Sequence, residues 1–388
     1  MAFDVAEWLN LAIRWLHLTT GIAWIGSSFY FVWLDNHLIK PAEGEASGEL
    51  WSVHGGGFYH NQKYQVAPSQ MPDQLHWFKY EAYFTWISGF SLLVLVYYVG
   101  AQSFLIDPAK ADLSPGVAIA IGLGAIAVGW LVYELLCRSM AQAGNLVISL
   151  FWFVFLLWSA WTLDALFSSR AAYLHIGAMI GTVMVANVFV VIIPNQRKVV
   201  ADLIAGRTPD PALGAQAKQR SLHNNYMTLP VLFIMISPHY PMTYGADRPW
   251  LVLALLGLTG VAVRHIFNLR GRGRPFGGAI AVSVVLGLAS AAYVTLEKRQ
   301  ASAPAASSGP ATFAEAQAII ASRCAACHNV ANPPKGVKLD SYDHIRAASG
   351  RIKAMAVDTR VMPLGNATGM TQAERDRLGA WIQAGTPK

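Results

Sequence analysis

Near the end of the chain, Cys324, Cys327 and His328 stand as Cys-x-x-Cys-His, a spacing with a definite chemistry. Two thiols so placed reach the two vinyl groups of one porphyrin and form thioethers. The histidine that follows at once lies beside the iron as proximal ligand, which makes this the attachment signature of a c-type haem. Other uses of paired cysteines fit worse. A zinc site wants four ligands, and Cys137 is the only further cysteine in the chain. A redox dithiol wants a βαβ setting, and the flanking sequence has none. The motif therefore predicts a covalent haem c with His328 on the iron.

A second axial ligand would come from downstream. Met362 is the first choice, because a thioether opposite imidazole raises the iron's potential, as an electron acceptor requires. Pro363 stiffens the loop that holds it. Met355 and Met370 are the alternatives, Met370 also reading as an apolar residue just before a helix. Thr371 and Glu374 form a Thr-x-x-Glu capping box, opening a helix through about Ala384 from which Trp381 can pack on the porphyrin edge.

Further candidates lie in apolar surroundings, where ionisable residues are costly and point to function by default. His17 and His175 fall within apolar segments and could clamp a b-type haem between two helices; hydrogen bonding to a neighbouring helix is the alternative. A second group collects at segment ends: His76, Lys79 and Glu81; His223, Asn224 and Asn225; Arg264, His265 and Asn268. The long stretch 35–75, without evident secondary structure, adds His54, the triplet Gly55-Gly56-Gly57, Tyr59, His60 and Lys63. Long loops are often functional, and glycines admit close backbone approach to a ligand. Together these would form a polar pocket for a small planar anion, with Arg264 or Lys79 as counter-charge and His76, Glu81 or His265 as proton acceptor. Headgroup-level snorkelling by the same residues is the alternative.

The elements that must position these residues are helices in a bilayer. Of 388 residues, 54% are hydrophobic and only 13% charged, about half the usual share. Eight apolar stretches read as spans: 7–34, 76–100, 116–137, 144–167, 170–193, 222–240, 249–270 and 276–297. Pro230 interrupts the sixth, which neighbouring helices can tolerate. With the N-terminus outside, odd-numbered loops hold Lys40, Lys63, Arg138, Arg197, Lys198, Arg207, Lys218, Arg220, Arg270, Arg272 and Arg274. Even-numbered loops hold Lys110, Arg170 and Arg248. That asymmetry places the odd loops in the cytoplasm and both termini outside. It also accounts for most of the net charge of +7, and no nucleic-acid module is present. The acidic start leads into a full span, so no cleavable signal is expected. Residues 298–310, rich in Pro, Ala and Ser, read as a flexible linker.

The expected architecture is all-α: a polytopic bundle over 1–297, the linker, and a domain over 311–388 that resembles a small class I cytochrome c. The bundle opens with Arg14-Trp15-Leu16-His17-Leu18-Thr19-Thr20-Gly21-Ile22-Ala23-Trp24-Ile25-Gly26. With His54-Gly55-Gly56-Gly57-Phe58-Tyr59 and Met362-Pro363-Leu364-Gly365-Asn366, the chain resembles the bacterial membrane-bound urate oxidases. That resemblance implies conversion of urate to 5-hydroxyisourate, with oxygen from water and no peroxide. Electrons would pass to the fused haem c, and then to a soluble cytochrome c or a terminal oxidase. It also implies the bacterial inner membrane, with the cytochrome domain in the periplasm. Two rival classes stay open: a quinol-oxidising electron-transfer subunit, and a non-enzymatic haem-handling or transport protein.

Overall fold

A computed structural model describes residues 5–64, 68, 72–108, 110–301, 311–325, 327–328, 336–366 and 368–388. Helices cover each apolar stretch: α1 (Val5–His37), α2 (Tyr80–Leu93), α3 (Pro115–Ser139), α4 (Asn145–Leu166), α5 (Ser169–Ile204), α6 (Pro211–Ile236), α7 (Pro249–Gly271) and α8 (Gly277–Ala301). Among the described residues five, α3, α4, α5, α7 and α8, are long and apolar enough to cross a membrane. The other three differ for visible reasons. α2 is regular for only 14 residues before a wide turn at Val94–Tyr98, a rise of about 21 Å against a hydrocarbon core of about 30 Å. α6 begins at Pro211 rather than near 222, and its stretch up to Asn225 carries Lys218, Arg220, His223, Asn224 and Asn225. α1 is charged only towards its ends, at Glu7, Arg14 and Asp35, but its middle is diluted by His17, Thr19, Thr20, Ser27 and Ser28. The linker expected at 298–310 lies mostly outside the described residues, and α8 continues through 298–301.

Large apolar side chains face outward along whole helices, among them Leu150, Val154 and Trp158 on α4 and Val285 and Leu288 on α8. A helix apolar on its outer face with polar residues turned inward suits lipid surroundings. Inside, small residues let the helices close on one another. A Cβ at Gly122 of α3 would lie 2.6 Å from His175 Nε2 of α5, and one at Gly129 would overlap Met179.

The all-α expectation fails in one place. Within the stretch 35–75, β1 (Gly48–His54) and β2 (Gly57–Lys63) pair antiparallel, from Gly48 opposite Lys63 to His54 opposite Gly57. Gly55 (φ +58°) and Gly56 (φ +79°) form the two-residue connection. Two consecutive positive-φ residues give the turn whose twist matches a hairpin, so two of these glycines make a turn. Across the strands the Trp51 and His60 rings stack at 4.1 Å, and His60 bonds Glu49 at 2.8 Å. Lys63 ties the hairpin to Asp35 of α1 at 2.7 Å.

The C-terminal unit has its own apolar core of Ile320, Leu339, Ile345, Met370, Leu378 and Trp381. Its helices are α9 (Phe313–Arg323), α10 (Tyr342–Ile352) and α11 (Gln372–Gln383). The capping box at Thr371 and Glu374 forms as the sequence predicts, and Thr312 with Glu315 makes a second at the start of α9. Trp381 is fully buried, its indole N–H donating to Pro387 O at 2.8 Å.

Candidate functional site

Arg220, His223, Asn224 and Asn225, in the middle of α6, lie inside the bundle and are the axis of two hydrogen-bonded groups. On one side, Arg220 pairs with Glu134 of α3 at 2.9 Å and donates to Asn187 of α5 at 3.3 Å. Asn187 donates to Tyr133 at 3.1 Å and to Asn224 at 2.8 Å. His223 meets the Tyr133 hydroxyl through Nδ1 at 2.8 Å and Asn145 through Nε2 at 3.2 Å. Asn187 opens a π-helical turn in α5, Asn187–Ile192, a feature frequent at functional positions because it re-aims side chains. A buried ion pair persists only when its remaining polar atoms are satisfied, and here Asn187 and Arg138 serve both partners.

On the other side, Asn225 Oδ1 accepts from Arg264 Nε and from Asn268 Nδ2, both at 3.0 Å. The Arg264 guanidinium stacks on the ring of Phe29 of α1 at 3.8 Å. Asn225 Nδ2 and Asn268 Oδ1 are buried without a hydrogen-bond partner, and such atoms call for an explanation because an unmade buried hydrogen bond is costly. One free donor, one free acceptor and a cation over an aromatic face are the contacts that bind a planar anion with amide edges.

Of the residues singled out from sequence, the fold thus brings Arg264, Asn225 and Asn268 together. His265 turns the other way, exposed, with Nδ1 on the Tyr226 hydroxyl at 2.7 Å. His76 packs against Phe78 at 4.7 Å, and Lys79, just before α2, lies over Tyr80 at 4.8 Å, with Glu81 in the first turn. This second set meets α1 through Phe31, which touches Phe78 at 4.8 Å, while Arg264 meets Phe29. Positions two apart on a helix do not face one way, so the single expected cluster is two groups beside α1.

His17 turns to α2, with Nδ1 2.9 Å from Thr85 O and 3.2 Å from the Ser88 hydroxyl. His175 is fully buried, its Nδ1 at 2.8 Å from Ala171 O and its Nε2 at 3.3 Å from the Tyr98 hydroxyl. Among the described residues no hydrogen bond or ring contact joins the two imidazoles. Glu134, Tyr133 and Asn187 are the residues that sequence reasoning missed. Each was visible as a lone polar group in an apolar run, Glu134 within Leu131–Leu136 and Asn187 within Met184–Val188. Arg220, counted among the loop cations, proves to be a buried helical residue.

In the C-terminal unit α9 ends at the paired cysteines, and the chain turns so that Cys327 N–H and His328 N–H both donate to Cys324 O. His328 Nδ1 lies 3.0 Å from Val337 O. As donor to that carbonyl it leaves Nε2 with its lone pair, the tautomer an iron ligand needs. Burial pushes the Cys324 thiol up to about 11, opposed by the Arg375 charge, whereas Cys327 is exposed. Met362 packs against the unit's core, its N–H on Met355 O at 2.8 Å and its carbonyl on Arg375 Nη1 at 2.7 Å. Met370 is buried within that core. Burial, with Arg360 nearby, lowers Arg375 to about 10, still charged at neutral pH.

Together these features define a mostly helical, apolar bundle with a buried polar layer and a small helical C-terminal unit. Residues 4–295 match the sequence model of a family described as urate oxidase N-terminal, and the chain belongs to that family. No curated protein matches the chain, and no solved structure does.

Proposed function

We propose that this chain is a membrane-bound oxidoreductase that converts urate to 5-hydroxyisourate and delivers the electrons to a haem c on its C-terminal unit. The family match over 4–295 carries the urate assignment. What supports the haem is the Cys324-x-x-Cys327-His328 turn, with His328 Nδ1 engaged by a carbonyl. Cys324 and Cys327 would hold the group, with His328 and Met362 on its iron, and when bound it supplies one-electron exchange. Urate and one water yield 5-hydroxyisourate, two protons and two electrons, which leave in successive one-electron steps.

The chain's own residues bind and move protons. Arg264 supplies the counter-charge for urate, with Asn225 and Asn268 matching its amide edges and Phe29 bounding its face. His265, His76 and Glu81 are the bases at the same end of the bundle, where a proton taken from urate or from the attacking water can leave. Lys79 adds positive potential there. The helices α1–α8 would cross the bacterial inner membrane eight times, with both termini and the haem unit periplasmic. Electrons would continue to a soluble cytochrome c or a terminal oxidase.

One observation favours a second reading, quinol oxidation. A largely apolar cavity of about 700 Å³ lies between α4, α6, α7 and α8, with Asn145, His223, Tyr226 and His265 among its lining. Anaerobic visible spectra of the oxidised protein separate the two. Urate should bring up the reduced c-type α-band. Reduction by a quinol analogue with none by urate would overturn the urate assignment. The variant with both Cys324→Ala and Cys327→Ala should lose haem staining in denaturing gels.

A further inference from the structure

The C-terminal unit meets the bundle at two connections, α2 to α3 and α6 to α7. Among the described residues these contacts come from one short segment, the loop that carries Met362. Thr359 O presses on Gly245, where any Cβ would overlap it. Arg360 forms an ion pair with Asp247 at 2.7 Å. Val361 packs on the apolar core of the bundle. Asn366 Nδ2 donates to Asp107 Oδ1 at 3.1 Å. Arg360 (φ +54°) and Asn366 (φ +50°) both hold left-handed backbone, a conformation that persists in non-glycine residues where surroundings fix it.

The same residues reach inward to Met362. Asn366 Oδ1 accepts from Arg375 Nη2 at 3.1 Å and from Met370 N–H at 3.0 Å. Arg375 Nη1 donates to Met362 O at 2.7 Å and also to Ala356 O. A continuous path therefore runs from bundle to loop: Asp107, Asn366, Arg375, Met362. Arg375 and Asn366 are 4% and 8% exposed, so water does not compete freely for these bonds.

We infer that Asp107 and Asp247 of the bundle are positioning residues for Met362, so that docking of the C-terminal unit sets how the thioether meets the haem iron. The inference rests on the haem c assignment and is independent of urate. A carboxylate at Asp107 orients Asn366, which fixes Arg375, which holds the Met362 carbonyl. Asp247 anchors the other end of the loop through Arg360. Losing both anchors frees the loop, and the thioether's preference for ferrous iron weakens.

The test uses the full-length protein in detergent and needs no substrate. Asp107→Ala combined with Asp247→Ala should retain haem staining in denaturing gels while the sulfur-to-iron charge-transfer band of the oxidised protein fades. Its midpoint potential should fall, each tenfold loss of ferrous preference corresponding to about 59 mV for a one-electron couple. Asp107→Asn keeps a carbonyl oxygen to accept from Asn366 and should stay near the parent in both measurements. A double variant with the parent's band and potential would overturn the inference. An unstained parent protein would overturn the haem assignment, and this inference with it.

Discussion

In the proposed urate site, Arg264 carries most of the recognition chemistry in one side chain. Its Nε is held by Asn225 and its planar face by Phe29, which leaves the other guanidinium nitrogens to meet an anion. A hydrogen bond to a charged group contributes about 1.5–3 kcal/mol, so Arg264→Met should raise KM for urate by roughly tenfold to a hundredfold. Steady-state kinetics on membranes checks this, and an unchanged KM would remove Arg264 from the site. Glu315 offers a pH measurement at the same scale. The Arg377 guanidinium, followed by the Thr312 N–H, holds its carboxyl down at about 2. The folded value thus lies below the unfolded one of about 4.3. Its stabilising contribution is full above that unfolded value and is lost as pH falls through about 2. The gap in unfolding temperature between parent and Glu315→Gln should therefore narrow steadily as the buffer is acidified below about pH 4.

At the scale of elements, α6 explains most of what the bundle does with polarity. Its sequence reads as half a span and half a loop, yet it is one helix whose central polar residues, Arg220, His223, Asn224 and Asn225, are buried. Successive residues sit about 100° apart on a helix, so Asn224 joins the Glu134 side while Asn225 joins Arg264. Removing one partner of a buried pair costs about 3–5 kcal/mol, because the other charge is left unpaired. Glu134→Gln should accordingly lower the unfolding temperature in detergent sharply. Glu134→Gln with Arg220→Met should recover much of the loss. Equal melting of the single and double variants would show that the pair has no such role. The hairpin β1–β2 is an element of the opposite kind, set almost wholly by local sequence: two glycines of positive φ between strands of seven residues each.

On the scale of the whole molecule, the charge pattern and the docking agree. The C-terminal unit contacts the even-numbered connections at Asp107, Gly245 and Asp247, which are those poor in Lys and Arg. In the proposed topology the positive-inside bias turns that end outward. A cysteine placed at Ala111 should react with an impermeant thiol reagent in intact spheroplasts, and one placed at Arg207 only after permeabilisation. The reverse pattern would invert the topology. Arg207 is exposed and Ala111 half-buried in its connection.

By itself the sequence determined whatever depends on neighbours along the chain. The Cys324–His328 motif, the Thr371 and Glu374 cap and the apolar stretches that became helices were all legible, because spacing, capping and hydrophobicity are local properties. The family resemblance was legible too, and the match over 4–295 bears out its urate-oxidase part. Only the tertiary structure decided which polar residues meet. Arg264 and Asn225 are 39 positions apart, and Asn366 and Asp107 are 259 apart. No periodicity encodes such pairings, since they depend on which faces the packed helices turn to one another. For the same reason the sequence alone grouped His76, Lys79 and Glu81 with Arg264, whereas in the fold Arg264 meets Asn225 and Phe29 and His76 meets Phe78.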